Sequence, residues 1–251
     1  MNAYELLKLA FTFLTVLPAR LNTAPAPGDL GRAAAWFPLV GGVVGAAAAL
    51  ALWGFGLVFP PLLAALLALI VWVGLTGGLH LDGLADCCDG LFNASNPERR
   101  LEIMKDPRLG SFGGTGLVLA LLLKLGGLLA LTSLANTAQS ILAVLLAAAL
   151  GRWLILLAAR QPTARPGGMG ADFALGLRLR AFAAAAVVPL SLALLCGWRG
   201  LLAVTLAHLG AWWIFRLARS RLGGVTGDVF GLVVETAEIL ALLAFAVRLP
   251  A

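Results

Sequence analysis

The chain has 251 residues, 61% of them hydrophobic and only 12% charged, with a mean hydropathy of +0.98. That composition excludes an ordinary soluble domain and places the chain in a lipid bilayer. The formal net charge of +6 would suit a nucleic acid, but its distribution along the chain reads as a topology signal, so no nucleic-acid partner is expected.

Residues 4–17 are apolar but interrupted by Glu5 and Lys8, and no small-residue cleavage site precedes Arg20. An interfacial or re-entrant helix is expected there, not a signal peptide. From Ala33 to Leu79 no residue is charged, enough for two spans of about 20 residues. Apolar windows place spans near 36–58, 61–79, 113–134, 139–159, 181–198, 201–217 and 231–248. Gly41-Gly42-Val43-Val44-Gly45 reads as a small-residue face for close helix packing; it lacks the strand and lysine of a phosphate loop. Cys87, Cys88 and Cys196 form no C-x-x-C pair and read as small buried thiols.

Outside the spans, fourteen basic residues fall on one side, from Lys8 to Arg221, and only Arg199 and Arg248 on the other. The positive-inside rule then puts the N-terminus in the cytoplasm and, with seven spans, the C-terminus outside. The expected fold is all-α: a polytopic integral membrane helical bundle of about seven transmembrane helices plus short interfacial helices. It forms a single domain, 1–251, with a cytoplasmic loop at 80–112. Ten acids, from Asp82 to Glu238, map to the cytoplasmic loops or the inner parts of helices, which favours one-sided chemistry over a transport path.

The most telling stretch is Gly77-Gly78-Leu79-His80-Leu81-Asp82-Gly83-Leu84-Ala85-Asp86-Cys87-Cys88-Asp89-Gly90. On a helix Asp82 and Asp86 are i,i+4, and Asp86 and Asp89 are i,i+3, so the three acids share one face. No lysine or arginine on that face neutralises them. A divalent cation that prefers oxygen, Mg²⁺ above all, would relieve their repulsion, and a merely solvated acidic face is the alternative. His80 serves as a hydrogen-bond partner of a carboxylate or phosphate, as a base, or as a helix-start contact.

The segment Glu98-Arg99-Arg100-Leu101-Glu102-Ile103-Met104-Lys105-Asp106-Pro107-Arg108 continues the polar surface. Asn96 or Ser95 can cap a short helix there, and Pro97 suits its first turn. Either the cations pair with the neighbouring acids, or Arg99, Lys105 and Arg108 reach phosphate oxygens, with Lys105 also near the chemistry. Near the C-terminus, Thr226-Gly227-Asp228 is followed by Glu235 and Glu238, acids carried into an apolar helix. They either pair with intramembrane Lys124 or Arg152, or Asp228 and Glu235 complete a metal site with the first set. His208, in an apolar span, reads as an interhelical hydrogen-bond partner.

Taken together, these motifs resemble the cobalamin synthase (adenosylcobinamide-GDP ribazoletransferase) family. The resemblance rests on Gly77 to Asp86, on Leu101-Glu102-Ile103-Met104-Lys105-Asp106 with Arg108, Gly110 and Gly113, and on Thr226-Gly227-Asp228 with Glu235. Gly151-Arg152, Phe13 to Pro18 and Phe37 to Gly41 agree more weakly. It implies a bacterial inner-membrane enzyme that transfers cobinamide phosphate from adenosylcobinamide-GDP to α-ribazole or its 5′-phosphate, with release of GMP. It also implies Mg²⁺ on Asp82, Asp86, Asp89, Asp228 and Glu235, catalysis by His80, Asp82, Asp86 and Lys105, and substrate contacts from Arg99, Lys105, Arg108, Arg152 and Thr226. A homo-oligomer, or association with other corrinoid-assembly enzymes, stays open. The acidic face is similar in site chemistry to that of CDP-alcohol phosphotransferases, but Asp86 stands where their motif has Arg. A cation-coupled transporter would need charge on both membrane faces.

Overall fold

The computed structural model describes residues 1–134, 136–165 and 169–247. Arg248, counted above on the outer side, lies outside the described residues. Helix α1 (Ala3–Leu14) starts on Asn2, whose side chain accepts the Glu5 N–H at 2.9 Å, and it buries Leu9, Ala10 and Leu14 while Tyr4 stays exposed. At 12 residues it is too short to cross a bilayer, in keeping with an interfacial helix. A short helix α2 (Asp29–Ala33) then leads through a 3₁₀ turn into α3 (Phe37–Gly56).

The remaining elements are α4 (Pro61–Thr76), α5 (Leu79–Leu91), α6 (Pro97–Ile103), α7 (Ser111–Thr132), α8 (Thr137–Ala158), α9 (Met169–Gly176), α10 (Leu179–Leu195), α11 (Gly197–Leu222) and α12 (Gly227–Ala246). Five helical segments are long and apolar enough to span by themselves: Asp29–Gly56, α7, α8, α11 and α12. Two further pairs reach that criterion only together: α4 with α5, bent by 89°, and Gly170–Gly176 with α10, bent by 100°. Against the seven crossings expected, five helices are thus long and apolar enough to cross a membrane, or up to seven if each bent pair is one span. The first break has a plain cause. Gly77 and Gly78 take φ of 61° and 72°, a left-handed conformation that costs glycine little, so α4 ends and the chain turns before the acidic helix begins.

Helix α8 is the hub. It packs along α3, α10, α11 and α12 and buries 13 residues, from Ala143 to Ala158. The small-residue stripe of α3 has the expected role, since a Cβ on Gly45 would sit 2.9 Å from the Leu145 backbone. Between α8 and α11, the Trp153 indole N–H donates to His208 Nε2 at 3.3 Å, and His208 Nδ1 lies 2.8 Å from the Val204 carbonyl. This is the interhelical role expected of that histidine.

Deeper in the bundle, four ionised side chains are almost fully enclosed. Lys124 of α7 donates to Glu235 of α12 at 2.8 Å and also pairs with Glu238, which in turn holds Arg152 of α8. The Trp72 ring of α4 lies 4.7 Å from the Lys124 ammonium. Two cations meet two carboxylates, so the group is neutral as a set and ties four helices together. Removing one partner leaves a buried uncompensated charge, a loss of about 3–5 kcal/mol. Lys124→Met is therefore expected to lower the thermal unfolding midpoint of the detergent-solubilised protein sharply, and adding Glu235→Gln should recover part of the loss. Two changes that merely add would show that the pair is not coupled.

Candidate active site

The broken turn at Gly77-Gly78 aims α5 across the ends of α7 and α12. Its approach to α12 is close: a Cβ on Gly83 would stand 2.7 Å from the Asp228 carbonyl oxygen, and one on Gly231 would stand 2.7 Å from that of His80. Only glycine at these two positions lets the backbones meet, so the two acidic segments are brought side by side. Asp82 is exposed, Asp86 and Asp228 are half-buried. The neighbouring charges acting on Asp86 are those of Asp228, Asp82 and Asp89, opposed by Arg165.

Asp82 and Asp86 open into a cavity of about 1000 Å³. Its other walls come from three places. The end of α1 supplies Phe13, Thr15 and Val16; α7 supplies Leu117 and Leu121; the loop after α6 supplies Lys105, Asp106 and Arg108. In that loop Asp106 accepts from the Arg108 guanidinium twice, at 2.9 Å from Nε and 2.6 Å from Nη2, and from the Arg108 backbone N–H at 3.1 Å, and these bonds hold its carboxyl down to about 2. Arg99 pairs with Glu102 at 2.8 Å on the exposed side of α6. In this basic segment Arg99 and Arg108 are paired with neighbouring acids, as the first of the two readings expects, while no acid lies within ion-pair distance of Lys105 among the described residues. Asn96 caps α6 by accepting the Arg99 N–H at 2.9 Å, and Arg100 turns inward to donate to the Leu91 and Ser95 carbonyls.

Several candidate residues stand elsewhere. Asp89 is turned to the start of α7, where its two oxygens accept the N–H groups of Gly110 and Gly113, each at 2.8 Å. An anion at a helix N-terminus satisfies orphan donors and meets the positive end of the dipole. Glu235 is engaged by Lys124, and Arg152 is enclosed with Glu238, so neither faces the cavity. His80 is buried with Nε2 unpartnered and does not line the cavity. Thr226 is buried and donates its hydroxyl to Asp228 at 3.1 Å.

Two contributors escaped sequence reasoning. Arg165 is held by a short bridge between Thr163 and Val225, and its guanidinium donates to the Leu101 carbonyl at 2.6 Å while its charge reaches Asp86 and Asp228. Nothing in its spacing connects it to either acidic segment. The end of α1 lines the cavity only because the fold returns it there. Its Phe13-to-Pro18 stretch, already marked by the resemblance, was the one signal available.

Over residues 6–246 the chain matches the family model described as cobalamin-5-phosphate synthase. It is 43% identical over 249 residues to the adenosylcobinamide-GDP ribazoletransferase of Pseudomonas paraeruginosa, covering 98% of this chain and 99% of the relative. The protein of that name from Ectopseudomonas mendocina is 42% identical over 96% of this chain and 98% of its own length, and that from Roseiflexus 38% over 96% and 89%. The chain belongs to the cobalamin-5-phosphate synthase family. No solved structure matches it. Membership disfavours both the CDP-alcohol phosphotransferase and the transporter readings.

Of the five acids expected to hold a cation, Asp82 and Asp86 line the cavity; Asp228 accepts the Thr226 hydroxyl and does not line it, and Asp89 and Glu235 are engaged elsewhere. Among the described residues no three His, Cys, Asp or Glu side chains stand close enough to hold a metal ion by themselves. Mg²⁺ does not require such a cage, since it commonly binds through one or two carboxylates plus phosphate oxygens and water. The remaining acids, with opposing charge from Arg165, fit that pattern.

The acids of α5 are thus expected to separate by role. Asp82→Asn and Asp86→Asn should cut turnover by orders of magnitude with the unfolding midpoint nearly unchanged. Asp89→Ala should destabilise the protein by about 1–2 kcal/mol through loss of the α7 anchor. Parallel assays of turnover and thermal unfolding check this, and a stability loss confined to Asp86→Asn would reverse the assignment.

Proposed function

We propose that this chain transfers the cobinamide-phosphate group of adenosylcobinamide-GDP to a ribose hydroxyl of α-ribazole or its 5′-phosphate, releasing GMP. The observation that carries this reading is the cavity of about 1000 Å³ lined by Asp82, Asp86 and Lys105, which brings acids suited to a hard cation and a cation suited to phosphate to one space. Family membership supplies the substrate class, because the relatives are named for it.

In the transfer, the acceptor oxygen bonds to the phosphorus attached to cobinamide, and the bond from that phosphorus to the GMP phosphate oxygen breaks. The electron pair leaves with GMP, and the hydroxyl proton passes to a cavity carboxylate. Lys105 and Arg108 supply the positive charge that the pyrophosphate requires; Arg108 does so by exchanging the carboxylate of Asp106 for a phosphate, a switch between two charge-assisted partners. Arg165 limits repulsion among Asp82, Asp86 and Asp228 so that they can remain close. Mg²⁺ bound at these acids would neutralise charge on the leaving phosphate and acidify the acceptor hydroxyl. Leu117, Leu121 and Val16 give the cavity an apolar wall beside the acids.

The same side of the bundle carries most of the basic residues, so we place the cavity at the cytoplasmic face of a bacterial inner membrane. That face is where a soluble, polyanionic substrate is drawn by the surrounding charge.

Purified protein is expected to release GMP from adenosylcobinamide-GDP only when α-ribazole or its 5′-phosphate is present. Release should stop with EDTA and return with excess Mg²⁺. GMP release that is independent of the ribazole acceptor would identify a hydrolase and contradict the proposal.

A further inference from the structure

A second cavity, of about 590 Å³, adjoins the first and shares its wall: Asp106 and Arg108 line both. Both volumes lie in the range of small-molecule sites. The two linings differ in kind. The larger cavity joins Asp82 and Asp86 to broad apolar surfaces of α1 and α7. The smaller one presents hydrogen-bonding groups, Asn93, Arg99 and Glu102, around the ring of Phe112, which is half exposed at 51%.

Resting on the function proposed above, we propose that the smaller cavity is the guanosine-phosphate subsite. The substrate would then straddle the wall between the two cavities, its pyrophosphate over Arg108. Three considerations carry this. First, the substrate has two unlike halves joined by a pyrophosphate, and the corrinoid half is much too large for the smaller cavity, whereas a nucleoside is not. Second, phosphoryl transfer sets acceptor and leaving group roughly in line on opposite sides of phosphorus. With the acceptor on the Asp82–Asp86 side of the wall, GMP departs towards the other side, where the smaller cavity lies. Third, the lining suits guanine. Phe112 offers a face for stacking, and a carboxylate such as Glu102 accepts from both the ring N–H and the exocyclic amine that distinguish guanine. Glu102 and Asp106 pair with Arg99 and Arg108 at 2.8 and 2.6 Å. Binding would exchange those partners: phosphate for Asp106 at Arg108, guanine for Arg99 at Glu102.

The test uses the full-length protein in detergent, with GMP, IMP and AMP as product inhibitors. Wild-type protein is expected to be inhibited by GMP more strongly than by IMP, which lacks the exocyclic amine, and least by AMP. Phe112→Ala should raise both the GMP inhibition constant and the KM for adenosylcobinamide-GDP roughly tenfold, in line with the loss of one base-stacking contact, while the KM for α-ribazole stays put. Glu102→Gln should erase the preference for GMP over IMP. The subsite is overturned if Phe112→Ala leaves GMP inhibition at the wild-type value, or shifts the KM for α-ribazole instead. These outcomes are read against continuing wild-type turnover; a wild-type protein that releases no GMP would overturn the functional reading together with the subsite.

Discussion

Ionised groups inside a hydrocarbon-like bundle must be neutralised where they stand, and this constraint divides the acids of the chain into two classes. Glu235 and Glu238 sit deep and are matched by Lys124 and Arg152, each of these side chains at most 4% exposed. The matched set draws α7, α8 and α12 together, and Trp72 brings in α4. Such a set contributes little net stability against an apolar core, but it penalises any arrangement in which one member loses its partner. The helices that frame the site are held in register by that penalty.

Helix α5 is supported by this frame without joining the charge network. Its backbone rests on α12 through the facing glycines Gly83 and Gly231, and Asp89 clamps its far end to the start of α7. What remains on its open face is a pair of acids, Asp82 and Asp86, near Asp228 and tempered by Arg165. Repulsion held in place by packing is a state that a bound cation or a cationic contact relieves. The same rigid support that keeps the acids close also fixes where a reacting phosphate would lie relative to Lys105 and Arg108. Position and electrostatics therefore come from the same few contacts.

Much of this was legible in the residues alone. The apolar windows, the charge asymmetry and the i,i+4 spacing of Asp82 and Asp86 depend only on local pattern, and the structure has matching helices. The break at Gly77-Gly78 was marked by its glycines, though its angle depends on the helices that receive α5. The roles of Asp89 and Glu235 were not separable by spacing, because each is decided by a partner distant in the chain: Gly110 and Gly113 for one, Lys124 for the other. The sequence leaves Arg152 as either an ion-pair partner or a substrate contact, and in the structure it is buried beside Glu238 as the former. Arg165, the end of α1 and the second cavity arise wholly from tertiary placement, which no periodicity reports.

We propose that the cavity acids of α5 receive a divalent cation with the substrate, while the matched acids Glu235 and Glu238 of α12 hold the bundle. Metal-specificity exchange tests it most directly. Asp86→Cys replaces a hard oxygen donor with a thiolate, which favours softer ions over Mg²⁺. GMP release by this variant should be nearly abolished with Mg²⁺ and substantially restored by Mn²⁺ or Cd²⁺, with no such restoration for Glu238→Cys. Full activity of Asp86→Cys with Mg²⁺, or equal failure with every ion, would contradict the account.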